Sequence, residues 1–530
     1  MNNVIETIGE DYKRWCSRQC IFIDAPTGTG KTTFVIQKLL PFCFESKEKL
    51  LYICNRSTLL NQVRGFNLMD YASSIEFMTY QSLESIIKNT SKDFHQLALY
   101  KYIVFDEAHY FFSDSIFNPY TCLSYNFIIT QLTCSIKIFM SATLGQFQTN
   151  FMKHQLDYLT SSGGLNNLTC PMVRSLERHY YINPYYDNLA VRYFNDPVND
   201  IPGLILEKTS SKWLVFVTNK SDADLIKKQL PKNISVGVIT SDTKAESSYD
   251  LFSIIEYESF QSDVLLCTSC LDNGVNISDP TLTNIVIVAN SEIQFKQMLG
   301  RKRRSREDIT PLNLFICCRD EDYFKKIHSE FIYPRLEFVK NNINNPAQIT
   351  MKLLESEAIY NLAKNTMIMC NNQYSFSNTT YLELTHQNQF LRDIIKTLRV
   401  DRFSFIKLQL SWLGITDTFS EKNFYSYNQK ENATSTLTSL LKDQCGTKMD
   451  KNANTAFLSQ CKPLIEIILG PSNNTFKNLQ TLGSNKFNKF CSIVSFNYHL
   501  ERTSSPQGSQ WTLMEGGEYN DEPDEDLINQ

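Results

Sequence analysis

The sequence predicts an α/β protein: two tandem doubly wound parallel-sheet domains followed by a mainly helical C-terminal domain. Three observations carry this. Short apolar runs of strand type alternate with stretches of helical spacing, once over residues 1–165 and again over 175–332. Between the first strand and the first helix lies the loop Ala25-Pro26-Thr27-Gly28-Thr29-Gly30-Lys31-Thr32, whose composition suits a phosphate cradle. Over 335–510 strand alternation gives way to helical spacing, and 511–530 reads as an acidic tail.

A chain of 530 residues exceeds one ordinary core and suggests about three domains. Hydrophobic residues at 42% and charged residues at 20% supply those cores and exclude bulk disorder. No apolar run approaches the ~18 residues that span a bilayer, and Met1 to Asp11 is acidic without an apolar signal core. The expectation is a cytoplasmic protein with no membrane partner. Fifteen Cys are scattered, several inside apolar runs as at Cys54, Cys317 and Cys318, and read as reduced thiols. The net charge of −4 argues against a generic polyanion binder, yet Glu515 to Gln530 holds seven acidic residues and no basic one, so the rest of the chain carries +3. That tail reads as a solvated segment, or more sharply as a hook for a protein partner, a role open also to the C-terminal domain.

Each element has its reason. Cys20–Asp24 is a strand-type run, and Thr33–Leu40 repeats apolar residues at helical spacing. At that turn Gly28 and Gly30 let backbone N–H groups approach an anion, with Thr29 and Thr33 beside them; Lys31 reaches the β/γ-phosphates and Thr32 can ligate Mg²⁺. Ala25 stands where the common pattern has its first Gly. Strands over 49–55 and 75–80 follow, each leading into a helix. Tyr102-Ile103-Val104-Phe105 then delivers Asp106-Glu107-Ala108-His109 to a strand end, where Asp106 can hold Mg²⁺ and Glu107 can orient and deprotonate an attacking water. The strand over 136–140 ends in Ser141-Ala142-Thr143, two hydroxyls near the same edge.

The second series has strand-type runs at 179–182, 213–217, 236–239, 264–267, 285–288 and 314–317 and no phosphate loop of its own. Any chemistry it joins must therefore lie across a cleft. Gln297-Met298-Leu299-Gly300-Arg301-Lys302-Arg303-Arg304 puts Arg301 and Arg304 on one face of a predicted helix, where two guanidinium groups can converge on a transferring phosphoryl. Lys302, Arg303 and Arg306 read as a solvated basic face. Farther on, Phe390, Leu391, Ile394, Ile395 and Leu398 keep helical spacing.

Ala-Pro-Thr-Gly-Thr-Gly-Lys-Thr, Asp-Glu-Ala-His and Ser-Ala-Thr resemble motifs I, II and III of superfamily 2 helicases and translocases of the DEAH-box type, and Gln297, Gly300, Arg301 and Arg304 resemble their motif VI. The resemblance covers roughly residues 18 to 325. It implies two RecA-like lobes binding ATP·Mg²⁺ between them and a nucleic-acid-dependent ATPase, helicase or translocase, with DNA favoured over RNA; a nucleotide-gated interaction module is the alternative. By resemblance Ser141 and Thr143, with His109, couple nucleotide state to nucleic-acid grip, and Asn55, Arg56, Thr79 and Gln81 touch the nucleic-acid backbone. Thr268 to Asn276 resembles motif V, adding Thr268 to the nucleic-acid contacts and Gly274 to the nucleotide contacts, although Asn276 stands where many relatives carry Asp. Absence of Cys between Cys54 and Cys122 excludes the iron–sulfur branch.

Overall fold

The computed structural model describes residues 3–55, 69–89, 96–97, 99–162, 176–183, 188–243, 248–271, 275–303, 310–344, 356–370, 373–469, 482–494, 496–505 and 508–516. The chain forms two compact units, Met1–Phe419 and Ser420–Gln530.

The first unit holds two six-stranded, wholly parallel sheets of the RecA-like kind. In the first, β1 (Cys20–Asp24), β2 (Leu50–Cys54), β3 (Ile75–Thr79), β4 (Tyr102–Asp106), β5 (Ile136–Ser141) and β6 (Glu177–Tyr181) run in the order β3-β2-β4-β5-β1-β6. The apolar runs of β1, β2, β4 and β5 are continuous because both faces are covered. Ile21, Ile23, Tyr52, Val104 and Ile138 pack to one side, and Phe22, Ile53, Ile103, Phe105 and Phe139 to the other. Register sets Phe105, Phe139 and Phe22 side by side, with stacked rings 5.0 and 5.3 Å apart. Each such buried ring contributes about 1.5–3 kcal/mol, so the three strands that end at the phosphate loop, Asp106 and Ser141 are tied along their lengths.

The second sheet runs β7-β12-β11-β8-β10-β9, with β7 Leu189–Phe194, β8 Lys212–Phe216, β9 Val236–Ile239, β10 Val264–Cys267, β11 Leu282–Ile287 and β12 Leu312–Cys317. Two assignments read from the sequence change here. The run at 179–182, expected to open the second series, belongs to β6 and pairs with β1 in the first sheet, so the first lobe reaches past residue 165. Alternate side chains of β6 are exposed, as suits an edge strand, and its short pattern carries no sign of which sheet it joins. The outer strand of the second sheet is instead β7, which pairs only with β12.

Helices Glu321–Ile327, Tyr333–Asn342, Asn378–Val400 and Ser404–Trp412 complete this unit around Phe324, Leu336, Leu384, Leu391, Ile394, Leu398 and Phe405. The second unit pairs helix Tyr425–Gln444 with Lys451–Leu469, adds helix Ser484–Ile493, and covers them with a small antiparallel sheet whose last strand, Gly508–Glu515, continues past residue 510.

Candidate nucleotide cleft between the lobes

Strand order builds the cleft. β4, β5 and β1 are neighbours, so their carboxyl ends bring Asp106, Ser141 and the phosphate loop together, the position where open α/β sheets take ligands. Gly28 and Gly30 adopt φ of +85° and +90°, a left-handed region that side chains rarely enter. Ala25 N–H donates to the Ser141 carbonyl at 2.9 Å, which ties the loop to the end of β5. Thr29 closes the loop on itself by donating its hydroxyl to the Pro26 carbonyl at 2.7 Å. Lys31 Nζ donates to the Ala25 and Pro26 carbonyls at 2.7 and 3.3 Å. Burial lowers the Lys31 pKa, opposed by the charges of Glu107 and Asp106. Thr32 and Thr33 lie in the first turn of the helix that follows, Lys31–Phe34.

Asp106 is buried at the end of β4. Its Oδ2 accepts the Tyr52 hydroxyl at 2.6 Å, its Oδ1 accepts Glu107 N–H at 3.0 Å, and its carbonyl accepts the Tyr80 hydroxyl at 2.9 Å. Thr32 acts on the same Tyr52 hydroxyl, opposing the rise in its pKa that burial and Asp106 cause. Both expected Mg²⁺ ligands thus bear on one phenol, Asp106 by a direct hydrogen bond. Burial, with Glu107 alongside, raises the Asp106 pKa. Burial would raise Glu107 as well, but Lys31, then His109, Arg301 and Arg303, reverse that and hold it low. Glu107 has φ of +51°, a left-handed conformation costing on the order of 1–2 kcal/mol for a non-glycine.

His109 joins the lobes. Its Nδ1 lies 2.8 Å from Ser141 Oγ, and its Nε2 lies 2.8 Å from Gln297 Nε2 in the second lobe. With the Gln297 amide donating, His109 Nε2 accepts and Nδ1 carries the proton. Burial favours that neutral ring by lowering its pKa. Thr143 N–H donates to Ser141 Oγ at 3.2 Å.

Gln297 lies on helix Glu292–Leu299, and Arg301 follows it. Arg301 Nε donates to the Gln297 carbonyl at 3.0 Å and Nη1 to the Val275 carbonyl at 2.8 Å. Lys302 and Arg303, expected on a solvated face, are not there. Lys302 is buried, with Nζ donating to the Asp279 carbonyl, and Arg303 turns toward the phosphate loop. The cause is backbone pairing of residues 301–303 with Ile277, which replaces the helix that spacing alone predicted beyond Gly300.

Of the expected nucleic-acid contacts, Asn55, Thr79 and Gln81 cluster at the ends of β2 and β3. Gln81 donates to Asn55 Oδ1 at 3.3 Å, Asn55 donates to Asp114 at 3.3 Å, and Thr79 Oγ1 caps helix Tyr80–Lys88 by accepting Ser82 N–H at 3.1 Å. Thr268 lines an open cleft of about 700 Å³ in the second lobe with Thr218, Asn219, Lys220, Thr240 and Ser241, at the ends of β8, β9 and β10. Arg56, Gly274 and Arg304 lie outside the described residues. Sequence reasoning missed Tyr52, Tyr80, Arg303 and the hydroxyls beside Thr268; a Tyr within an otherwise aliphatic buried strand was the one available signal.

The residues present fit a nucleoside triphosphate with Mg²⁺: left-handed glycines at a helix N-terminus, a lysine between loop and carboxylates, and a buried Arg303 Nη1 without a hydrogen-bond partner among the described residues.

Fold and cleft together define a two-lobed phosphate-loop protein. Residues 196–306 match the helicase conserved C-terminal domain, and residues 67–146 match the res subunit of type III restriction enzymes. The pre-mRNA-processing ATP-dependent RNA helicase PRP5 of Saccharomyces cerevisiae is 25% identical over 120 residues, which is 22% of this chain and 14% of that protein. A solved structure of Mss116p bound to ssRNA and AMP-PNP aligns over 79% of this chain and 90% of its own, at 14% identity and a TM-score of 0.43. A fragment described as an HsdR subunit of a type I restriction enzyme from Vibrio vulnificus aligns over 59% of this chain and 62% of its own, at 17% identity and a TM-score of 0.39. Each match covers part of the chain, and the two family models fall one in each lobe.

Proposed function

We propose that the chain is a nucleic-acid-dependent ATPase of the DEAH-box type, working as a helicase or translocase. The observation that carries this reading is the bridge from His109 through Gln297 across the cleft, between the segment bearing Asp106 and Glu107 and the segment bearing Arg301. Lys31, with Gly28, Thr29, Gly30, Thr33 and Gly274, would hold the nucleotide; Thr32 and Asp106 would hold Mg²⁺. Bound Mg²⁺ supplies charge neutralisation at the phosphates. Glu107 orients water and takes its proton, and Arg301 and Arg304 stabilise the charge that develops. Ser141, Thr143 and His109 couple that chemistry to the nucleic-acid contacts, for which Asn55, Arg56, Thr79, Gln81 and Thr268 are proposed; the hydroxyls and Lys220 around Thr268 suit phosphate rather than base contacts.

The preference for DNA finds no support in the relatives, two of which carry RNA in their names or titles, so either polymer can be the track. Among the described residues no helix is long and apolar enough to cross a membrane; a cytoplasmic location, and a protein partner at the second unit or the acidic tail, belong to the same proposal.

The test is ATP hydrolysis by the purified chain with and without single-stranded DNA, duplex DNA and RNA. Stimulation by one polymer, abolished in Glu107→Gln, is expected and names the track. Hydrolysis indifferent to every polymer would overturn the motor reading in favour of a nucleotide-gated interaction module.

A further inference from the structure

Arg303 stands between two residues expected to matter and was itself read as surface. Its placement says otherwise. A Cβ built on Gly28 of the phosphate loop would lie 2.8 Å from Arg303 Nη1, 3.7 Å from its Cδ and 3.8 Å from its Cζ. The guanidinium of one lobe therefore lies against the phosphate loop of the other, in space left by a glycine that is also held at φ +85°. Neighbours aim it. Arg303 N–H donates to the Ile277 carbonyl at 2.8 Å, and its Nε donates to Asn276 Oδ1 at 2.8 Å. Asn276 is the residue that departs from the motif V pattern, and here it is the side chain that turns the guanidinium.

Nη1 is buried and has no hydrogen-bond partner among the described residues. A charged donor left this way costs several times what an ordinary unmade hydrogen bond costs, so the arrangement calls for an anion. A planar guanidinium matches phosphate oxygens in a bidentate fork, and phosphate is the anion this loop is shaped to hold. Arg301, by contrast, sends Nε and Nη1 to carbonyls of its own lobe.

We propose that Arg303 is a phosphate-contacting residue that reaches across the cleft to the terminal phosphate of a bound nucleoside triphosphate and so distinguishes triphosphate from diphosphate. This rests on the nucleotide reading given above. The end of the nucleotide is chosen because Arg303 and Glu107 lie within each other's field, and Glu107 is the base placed where water would attack.

The experiment measures equilibrium binding of fluorescent ADP and of a fluorescent non-hydrolysable triphosphate, with Mg²⁺, to the full chain and to Arg303→Ala and Arg303→Lys. In Arg303→Ala the triphosphate affinity is expected to fall about tenfold or more while the diphosphate affinity holds within about twofold, and turnover should fall by about 10³ as for other trans-acting arginines. Arg303→Lys should recover only part of the ratio, since a point charge lacks the planar fork. An unchanged ratio, or equal weakening of both nucleotides, overturns the inference. Should Arg303→Ala fail to fold, Asn276→Ala, which frees Nε, is read instead and should lower the same ratio by a smaller factor; no change there also overturns it. Wild-type chain that binds neither nucleotide overturns the nucleotide reading itself, an outcome separate from the other two.

Discussion

Tyr52 is the residue on which Asp106 depends, because its buried hydroxyl donates to Asp106 Oδ2 at 2.6 Å. Groups behind metal ligands typically carry a 10–100-fold share of metal affinity or activity. Tyr52→Phe keeps the ring packing and removes only the hydroxyl. The expected outcome is a Mg²⁺ requirement for ATP turnover raised by about that factor, with thermal unfolding little moved; a Mg²⁺ titration matching wild type would remove Tyr52 from this role. Such residues show why only part of the cleft was legible. Lys31, Asp106, Glu107, Ser141 and Arg301 could be picked out because each sits at a fixed offset from a strand end or a glycine, His109 and Gln297 only through the motifs they resemble, and the structure gathers them at one cleft. Tyr52 and Arg303 could not, since their roles arise from which strand lies beside which and from a helix that stops at Gly300.

At the scale of elements, the stretch that aims Arg303 is anchored by Asp279. Its Oδ2 accepts Lys212 Nζ at 2.6 Å and Ser259 Oγ at 3.0 Å, its Oδ1 accepts Thr281 N–H at 2.9 Å and the Thr281 hydroxyl at 2.6 Å, and its carbonyl accepts Lys302 Nζ. Burial alone would raise this carboxyl, but Lys212 and Thr281 bring it down to about 2. A depressed folded-state pKa means that the carboxylate adds stability above its ordinary value of 3.8 and loses it as pH falls through about 2. Wild type and Asp279→Asn should therefore differ in denaturant midpoint at pH 7 and converge as the pH drops below 4; a gap independent of pH would show that the carboxylate's charge is not what holds the stretch. Strands were more legible than their sheets. The apolar runs of β1, β2, β4, β5, β8 and β10 to β12 stand out because both faces are buried, whereas β6 and β7, at sheet edges, show short mixed patterns that name neither their partners nor their lobe.

Over the whole first unit, the two lobes meet at small residues. A Cβ on Gly300 would lie 1.9 Å from Thr27 Oγ1 and 2.8 Å from Thr27 Cβ, and Gly300 has an ordinary φ of −69°, so an alanine there is a wedge without backbone strain. Gly300→Ala is expected to cut ATP turnover by about tenfold or more, the scale on which small misplacements act in assembled sites, with little change in unfolding temperature. Thr27→Ala in the same chain, which removes the nearest atom, should restore part of the loss; full activity in Gly300→Ala alone would mean that the lobes do not close on this contact during turnover. Helix Asn378–Val400 adds a second tie. Its start bonds to the first lobe through Thr379 to Thr121 and Thr380 to the Ser115 carbonyl, at 2.9 Å each, while Arg399 near its end donates to Glu321, beyond the second sheet, at 2.6 Å.

The meshing of Gly28 with Arg303 and of Thr27 with Gly300 bears on inheritance. A change of size on one side of the seam is tolerable only with an answering change on the other, so these positions must drift in pairs, although about 270 residues of chain separate them. The lobes are not interchangeable modules: a hybrid carrying another protein's second lobe can retain two sound cores and still fail where they join.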